Sequence, residues 1–167
     1  LKADRDVVLA AVGQNGSALE FAPTFQGDRD VVIAAVKSNG SALSYASPAL
    51  KGDEDVVMAA VKQNGSALLY AAEELQYDPD IVKTAIAEDA SVISGFSRET
   101  VILAVSFSGM NLQHASAALR GDKAVVLAAV KEYGIALEHA SEALKNDRGV
   151  VLAAVKNYGE ALKYASA

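Results

Sequence analysis

One phrase recurs through this chain, and its period decides what the chain can fold into. It is clearest at 53–75, DEDVVMAAVKQNGSALLYAAEEL, and copies open at Asp4, Asp28, Asp53, Asp78, Ser97, Asp122 and Asp147. Successive openings lie 24, 25, 25, 19, 25 and 25 residues apart. A unit this short cannot bury enough apolar surface alone to offset the entropy of ordering its backbone. Copies must therefore stack and share a core.

Helix or strand is settled by spacing. The fifth residue of every copy is Val, the ninth is Val or Ile, and the eighth is Ala: Ala11, Ala35, Ala60, Ala85, Ala104, Ala129 and Ala154. Positions five, eight and nine follow the i, i+3, i+4 pattern of a helix face and do not alternate as a strand would. The VVLAAV runs are rich in Ala, a strong helix former and a poor strand former. An opening Asp is a good N-cap, and Pro79 after Asp78 suits a first helical position. Each copy thus predicts a helix of about ten residues, from the residue after the opening Asp to just before a Gly (Gly16, Gly40, Gly65, Gly109, Gly134, Gly159). That Gly is expected to close the helix in a left-handed conformation; in the fourth copy Ala90 replaces it. A second, shorter helix should follow, holding Leu19, Leu43, Leu68, Ile93, Leu112, Leu137 or Leu162, then a last turn such as Ser47-Pro48-Ala49-Leu50 with Ser as cap.

The expected fold is all-α, an α-solenoid (superhelix) of about seven helix-turn-helix repeats of ~25 residues, forming a single array over 1–167. The conserved-size Ala at position eight lets helices approach, and a Leu there should overpack the site by about 1–3 kcal/mol. The fourth copy is irregular: it has Lys83 and Thr84 where others are apolar, lacks the Gly and runs six residues short, giving a junction near 90–97. Leu1-Lys2-Ala3-Asp4 matches the end of a repeat and Tyr164-Ala165-Ser166-Ala167 stops inside one, so the chain reads as a segment of a longer array.

Composition narrows function. Hydrophobic residues make up 51% and charged residues 22%, an ordinary globular balance that predicts a soluble protein. The apolar runs fall far short of a transmembrane span. With no Cys there are no disulfides or cysteine metal sites. Residues 1–96 carry 7 basic and 14 acidic side chains, residues 97–167 carry 8 and 7. The acidic first half suits a phosphate backbone poorly.

The residues with chemical potential read as structural. His114 and His139 share a repeat position with Phe21, Tyr45, Tyr70, Gly95 and Tyr164. A His that alternates with Tyr and Phe is an aromatic-sized filler with a polar tip. Collectively Phe21, Tyr45, Tyr70, His114, His139 and Tyr164, with Tyr133 and Tyr158 before their glycines, are the candidate partner-contact residues. The Asp pairs Asp4/Asp6, Asp28/Asp30, Asp53/Asp55 and Asp78/Asp80 sit on first helical turns, where the dipole alone favours acid. No calcium-loop spacing, phosphate loop, nucleophile elbow or zinc motif is present. Neither a catalytic residue, a metal site nor a cofactor is expected.

The phrases DRDVVLAAV, QNGSALEFA and KNDRGVVLAAVKNYGEALKYAS resemble the repeats known as domain of unknown function 4116 (DUF4116), whose units of about fifty residues each equal two copies here. The resemblance covers nearly the whole chain and departs most in the fourth copy. It implies a tandem helical array, found in intracellular bacteria, protists and algae, with no catalytic residues. A fainter likeness, to the DNA-reading repeats of plant-pathogen transcription activators, rests on the loop pairs Asn15-Gly16, Asn39-Gly40, Asn64-Gly65, Ser108-Gly109, Tyr133-Gly134 and Tyr158-Gly159. The shorter repeat, the acidic balance and the lack of a recurring basic residue beside the loop oppose it. The expected function is a non-catalytic protein-binding scaffold or a peripheral structural subunit of a large multi-subunit complex, in the cytoplasm or an organelle, with the compartment open. The alternatives are a sequence-reading nucleic-acid array, which the charge disfavours, and a host-directed effector module.

Overall fold

The computed structural model describes residues 4–166, and all regular structure among them is helical. The expected repeat-end match at residues 1–3, and Ala167, lie outside the described residues. The chain divides into two compact units, Leu1–Asp89 and Ala90–Ala167. The boundary cuts the fourth repeat, placing its α-helix in the first unit and its next segment in the second.

Each repeat opens with an α-helix of ten residues: Arg5–Gln14, Arg29–Ser38, Glu54–Gln63, Pro79–Glu88, Arg98–Phe107, Lys123–Glu132 and Arg148–Asn157. The opening residue caps it in every case. Asp28, for example, accepts from the backbone N–H of Asp30 and Val31 at 3.1 and 3.2 Å, and Ser97 accepts from Thr100 at 3.2 Å. Such caps satisfy donors that the first turn otherwise leaves free.

The second segment is a 3-10 helix, not an α-helix. It runs Gly16–Phe21, Gly40–Tyr45, Gly65–Tyr70, Ala90–Gly95, Gly109–His114, Gly134–His139 and Gly159–Tyr164. The reason is a period of three. In the second repeat Gly40, Leu43 and Ala46 all face the core. Three residues per turn keep them in register, whereas an α-helix would rotate each successive member by about 60°. Six residues at 3-10 rise span about 12 Å, close to the roughly 15 Å of the ten-residue helix. Within each unit the α-helices therefore form one layer and the 3-10 segments another; Gly40–Tyr45 packs on its own helix and on the next, and Gly134–His139 does the same.

The glycine does not close the helix. No described glycine has a positive φ, and the residue before it is extended (Asn39 at φ −150°, ψ 109°). Gly40 instead lies against the next repeat, where an added methyl would overlap the carbonyl oxygen of Ala60. The same holds for Gly16 on Ala35, Gly65 on Ala85, Gly109 on Ala129 and Gly134 on Ala154. Only a hydrogen fits, and it points at an oxygen, the geometry of a weak Cα–H···O contact.

The core is made from those positions. Val31, Val32, Ala35, Val36, Ala42 and Leu43 are fully buried, as are Val125, Val126, Ala129, Val130, Ala136 and Leu137 in the second unit. Thr100 is the buried polar residue among the described side chains, and its hydroxyl lies 2.9 Å from that of Ser97.

A third, variable piece ends the repeat: Pro23–Phe25, Pro48–Lys51, Glu73–Tyr77, Ala117–Arg120 and Glu142–Lys145. Leu50 and Leu144 from it are buried, Leu75 and Leu119 half-buried. Neighbouring repeats are stitched here by backbone bonds, from Ser47 to the Gln26 carbonyl (2.8 Å) and from Ser141 to that of Arg120 (2.9 Å). Ser47 makes no side-chain cap bond, contrary to expectation, whereas Ser116 accepts from Leu119 at 3.4 Å. The fourth repeat lacks this piece: Gly95 is followed within three residues by the next helix. Phe96, nearly buried, occupies the slot that is Ala22, Ala46, Ala71, Ala115 or Ala140 elsewhere.

Candidate partner-contact surface

Because Gly, Leu and Ala turn one face of each 3-10 segment inward, its last residue is left at the outer rim. In the first unit this rim carries Phe21, Tyr45 and Tyr70 on neighbouring segments. Phe21 is 61% exposed and Tyr70 42%. Tyr45 is half-buried, with its hydroxyl 3.3 Å from the Glu20 carboxylate. That negative charge pushes the Tyr45 phenol above its ordinary pKa. Leu69 is exposed beside Tyr70.

In the second unit the rim holds Gly95, His114, His139 and Tyr164. Both histidines and Tyr164 are half-buried, and the Lys163 ammonium sits 4.7 Å from the Tyr164 ring centroid, a cation–π distance. Burial holds His139 below the ordinary imidazole pKa, with Arg120, Lys145 and His114 acting the same way and Glu138 against them.

Tyr133 and Tyr158 form a separate row. They precede the 3-10 segment, at its opposite end from His139 and Tyr164, and both are exposed. The Glu160 carboxylate raises the Tyr158 phenol pKa, with a smaller contribution from Tyr133. The candidate contact residues are thus two rows, which pattern-reading had pooled. The small position-eight residues lie inside: Ala35, Ala60, Ala85, Ala104, Ala129 and Ala154 are fully buried, and Ala11, which no repeat precedes in this sequence, is exposed.

Two polar features escaped the sequence reading. The Asp pairs do more than suit the helix dipole. Arg5 donates from Nε to Asp28 (2.8 Å) and from Nη2 to Asp30 (2.8 Å), and Arg29 repeats this with Asp53 (3.0 Å) and Asp55 (2.7 Å). Arg98 reaches Asp122 at 2.8 Å and Lys123 reaches Asp147 at 2.6 Å. Oδ1 of the opening Asp caps its own helix while Oδ2 takes the closest contact from the cation of the preceding repeat, and Arg5, Arg29 and Arg98 also donate from Nη2 to the capping oxygen at 3.2, 3.4 and 3.2 Å. These cations hold the carboxyls of Asp28, Asp53, Asp122 and Asp147 below the ordinary range. The signal in sequence was a basic residue after one opening Asp and an acid at the next.

The second is a lysine. Lys37, Lys62, Lys131 and Lys156 stand three residues before their glycines, which corrects the view that no basic residue recurs near the loop. Lys37 and Lys62 border an open groove of about 540 Å³ with Asp55 and Met58; Lys131 and Lys156 border one of about 460 Å³ with Leu152. Each groove lies between adjacent α-helices. No described helix is long and apolar enough to cross a membrane.

Stacked helical units on a shared core place the chain among the α-solenoid repeat proteins. The model of the family described as "Domain of unknown function (DUF4116)" matches residues 1–51, 53–96, 97–144 and 122–167, and the chain belongs to that family. The last two matches share the sixth repeat, so the fifty-residue unit can be read from either of its halves. No curated protein and no solved structure matches the chain.

Proposed function

We propose that this array is a non-catalytic protein-binding module, serving as a scaffold or as a peripheral subunit of a larger assembly. The observation that carries this reading is the recurring outward display of large aromatic side chains at the ends of the 3-10 segments: Phe21 and Tyr70 at one end, Tyr133 and Tyr158 at the other. Aromatic residues are enriched at protein interfaces because they bring large contact area at low entropic cost. Nucleic acid is a poorer fit. The lysines recur in only four repeats, Gly13, Ala87 and Ser106 interrupt them, and the net charge is −6.

The test is size-exclusion of extract from the native source, with mass spectrometry of co-eluting proteins, repeated with Phe21→Ser/Tyr70→Ser and Tyr133→Ser/Tyr158→Ser chains. Co-elution with a defined set of proteins, lost in at least one double variant whose circular dichroism is unchanged, is the expected result. Elution of the native protein alone would remove the stable-subunit reading. Salt-sensitive retention on DNA or RNA would replace it with nucleic-acid binding.

A further inference from the structure

We propose that Arg120 and His139 form a carboxylate-binding site at the seam between the fifth and sixth repeats. Arg120 Nε and His139 Nε2 are both shielded from solvent, and neither has a hydrogen-bond partner. Both side chains border one depression of about 280 Å³, whose wall also includes Ser141 and Glu142. A buried donor without an acceptor bears its full desolvation cost, so a pair of them on one cavity marks a place for an acceptor. No hydrogen bond reaches either atom: the Arg120 carbonyl takes the Ser141 backbone N–H at 2.9 Å, and on the wall Glu142 Oε1 takes the Lys145 ammonium at 2.9 Å.

The seam is chemically distinct from its equivalents. By sequence position the corresponding pairs elsewhere are Lys2 with Phe21, Gln26 with Tyr45, Lys51 with Tyr70, Gln76 with Gly95 and Lys145 with Tyr164. None combines a guanidinium with an imidazole. Two N–H donors, one permanently cationic and one able to become so, match the two oxygens of a carboxylate. The carboxylate of Glu142 on the wall, and Glu138 beside His139, weigh against a doubly charged phosphate more than against a monoanion.

The groups that face His139 are Glu138, Arg120, Lys145 and His114, and burial together with the three basic ones disfavours its charged form. A bound carboxylate adds a partner for the imidazolium, so occupancy should raise the His139 pKa, and binding should tighten as pH falls toward the ordinary histidine range. This site is independent of the protein-binding reading, since a free carboxylate can occupy it whether or not a protein partner exists.

The chain has two histidines, so ring proton–carbon NMR spectra of the full protein contain only two sets of signals. Titration with acetate at constant ionic strength should shift the His139 signals saturably and raise their titration midpoint, with His114 little moved. Arg120→Gln should weaken the acetate response about tenfold, and Arg120→Lys, which keeps the charge but not the Nε–H, should restore it only in part. A capped Gly-Glu-Gly peptide that saturates well below acetate would identify an acidic side chain of a bound protein as the occupant; equal midpoints would identify a free acid. No saturable His139 shift, equal linear shifts at both histidines, saturation by phosphate but not acetate, or an Arg120→Gln response like wild type would each overturn the proposal.

Discussion

Leu1–Asp89 and Ala90–Ala167 stack their repeats on the same interior contacts but join them differently at the surface. Both press a glycine onto an alanine carbonyl of the next repeat, Gly40 on Ala60 in one and Gly134 on Ala154 in the other. In both, that glycine N–H is held by the same repeat position, Gln63 or Asn157. The polar links differ. In the first unit Asn39 accepts from the Ser41 N–H at 3.0 Å and donates to the Ser17 hydroxyl at 3.0 Å, and Asn64 does the same with Ser66 and Ser41. In the second, Tyr133 and Tyr158 stand there without any side-chain cap bond. Arg5 and Arg29 each clasp two acids, while Arg98 and Lys123 each reach a single opening Asp of the next repeat. Stacking thus depends on a steric condition met in both units, and the hydrogen-bonded and ionic links are replaceable additions to it.

That comparison can be broken at its strongest point. Gly40→Ala and Gly134→Ala should each cost about 1–3 kcal/mol in urea unfolding followed by circular dichroism, because the methyl meets backbone that cannot yield cheaply. Gly159→Ala, with nothing within 4 Å, should be neutral or stabilise by up to about 1 kcal/mol. A silent Gly134→Ala beside a damaging Gly40→Ala would show that the two interiors differ after all.

Smaller effects sharpen the surface difference. Asn39→Ala removes a cap and an inter-repeat bond and should cost about 1 kcal/mol, against less than about 0.5 kcal/mol for the exposed Tyr133→Ala. Amide exchange resolved by unit would show whether the Asn39 loss stays local. Equal costs would mean that Tyr133 supplies packing that its missing bonds do not reveal.

The smallest effect is in pH. The carboxyls of Asp28, Asp53, Asp122 and Asp147 are depressed in the folded chain, so their contribution is present above the unfolded value of about 3.9 and is lost as pH falls through the folded values below it. Melting temperatures should be flat near neutrality and fall below about pH 4, with the fall softened by salt because these pairs are exposed. Arg29→Gln should flatten the acid limb, since it takes away the cation that depresses the Asp53 carboxyl. An acid limb like that of the wild type would show that this clasp contributes nothing to stability.

The helices were legible because their determinants are local: an Asp cap, a Val-Val-x-x-Ala-Val face, a fixed length. The 3-10 segments were legible too, in the unbroken spacing of three from Gly16 to Leu19 to Ala22, but a run labelled helical invites an α period. The glycines were misread for a deeper reason. Asn-Gly after a helix looks like a left-handed cap, and the true constraint on Gly40 is the Ala60 carbonyl, which no local rule can see. The Arg5 clasp and the Arg120–His139 cavity likewise depend on which residues stacking sets face to face. The two rows of aromatic residues were visible as residues and not as rows, because their ends of the 3-10 segment could not be told apart before its pitch was known.

Every opening helix has ten residues and the 3-10 segment that follows it six, while the stretch from there to the next opening residue has six residues after Phe21, seven after Tyr45 and Tyr70, and one after Gly95. A residue gained or lost inside either fixed segment would swing its inward side chains away from their partners. In the closing piece at most one inward side chain, such as Leu50 or Leu144, depends on the phase. Insertions and deletions are therefore best tolerated at that site, and it is there that a foreign segment could be spliced in without scrambling the reading of the repeats on either side.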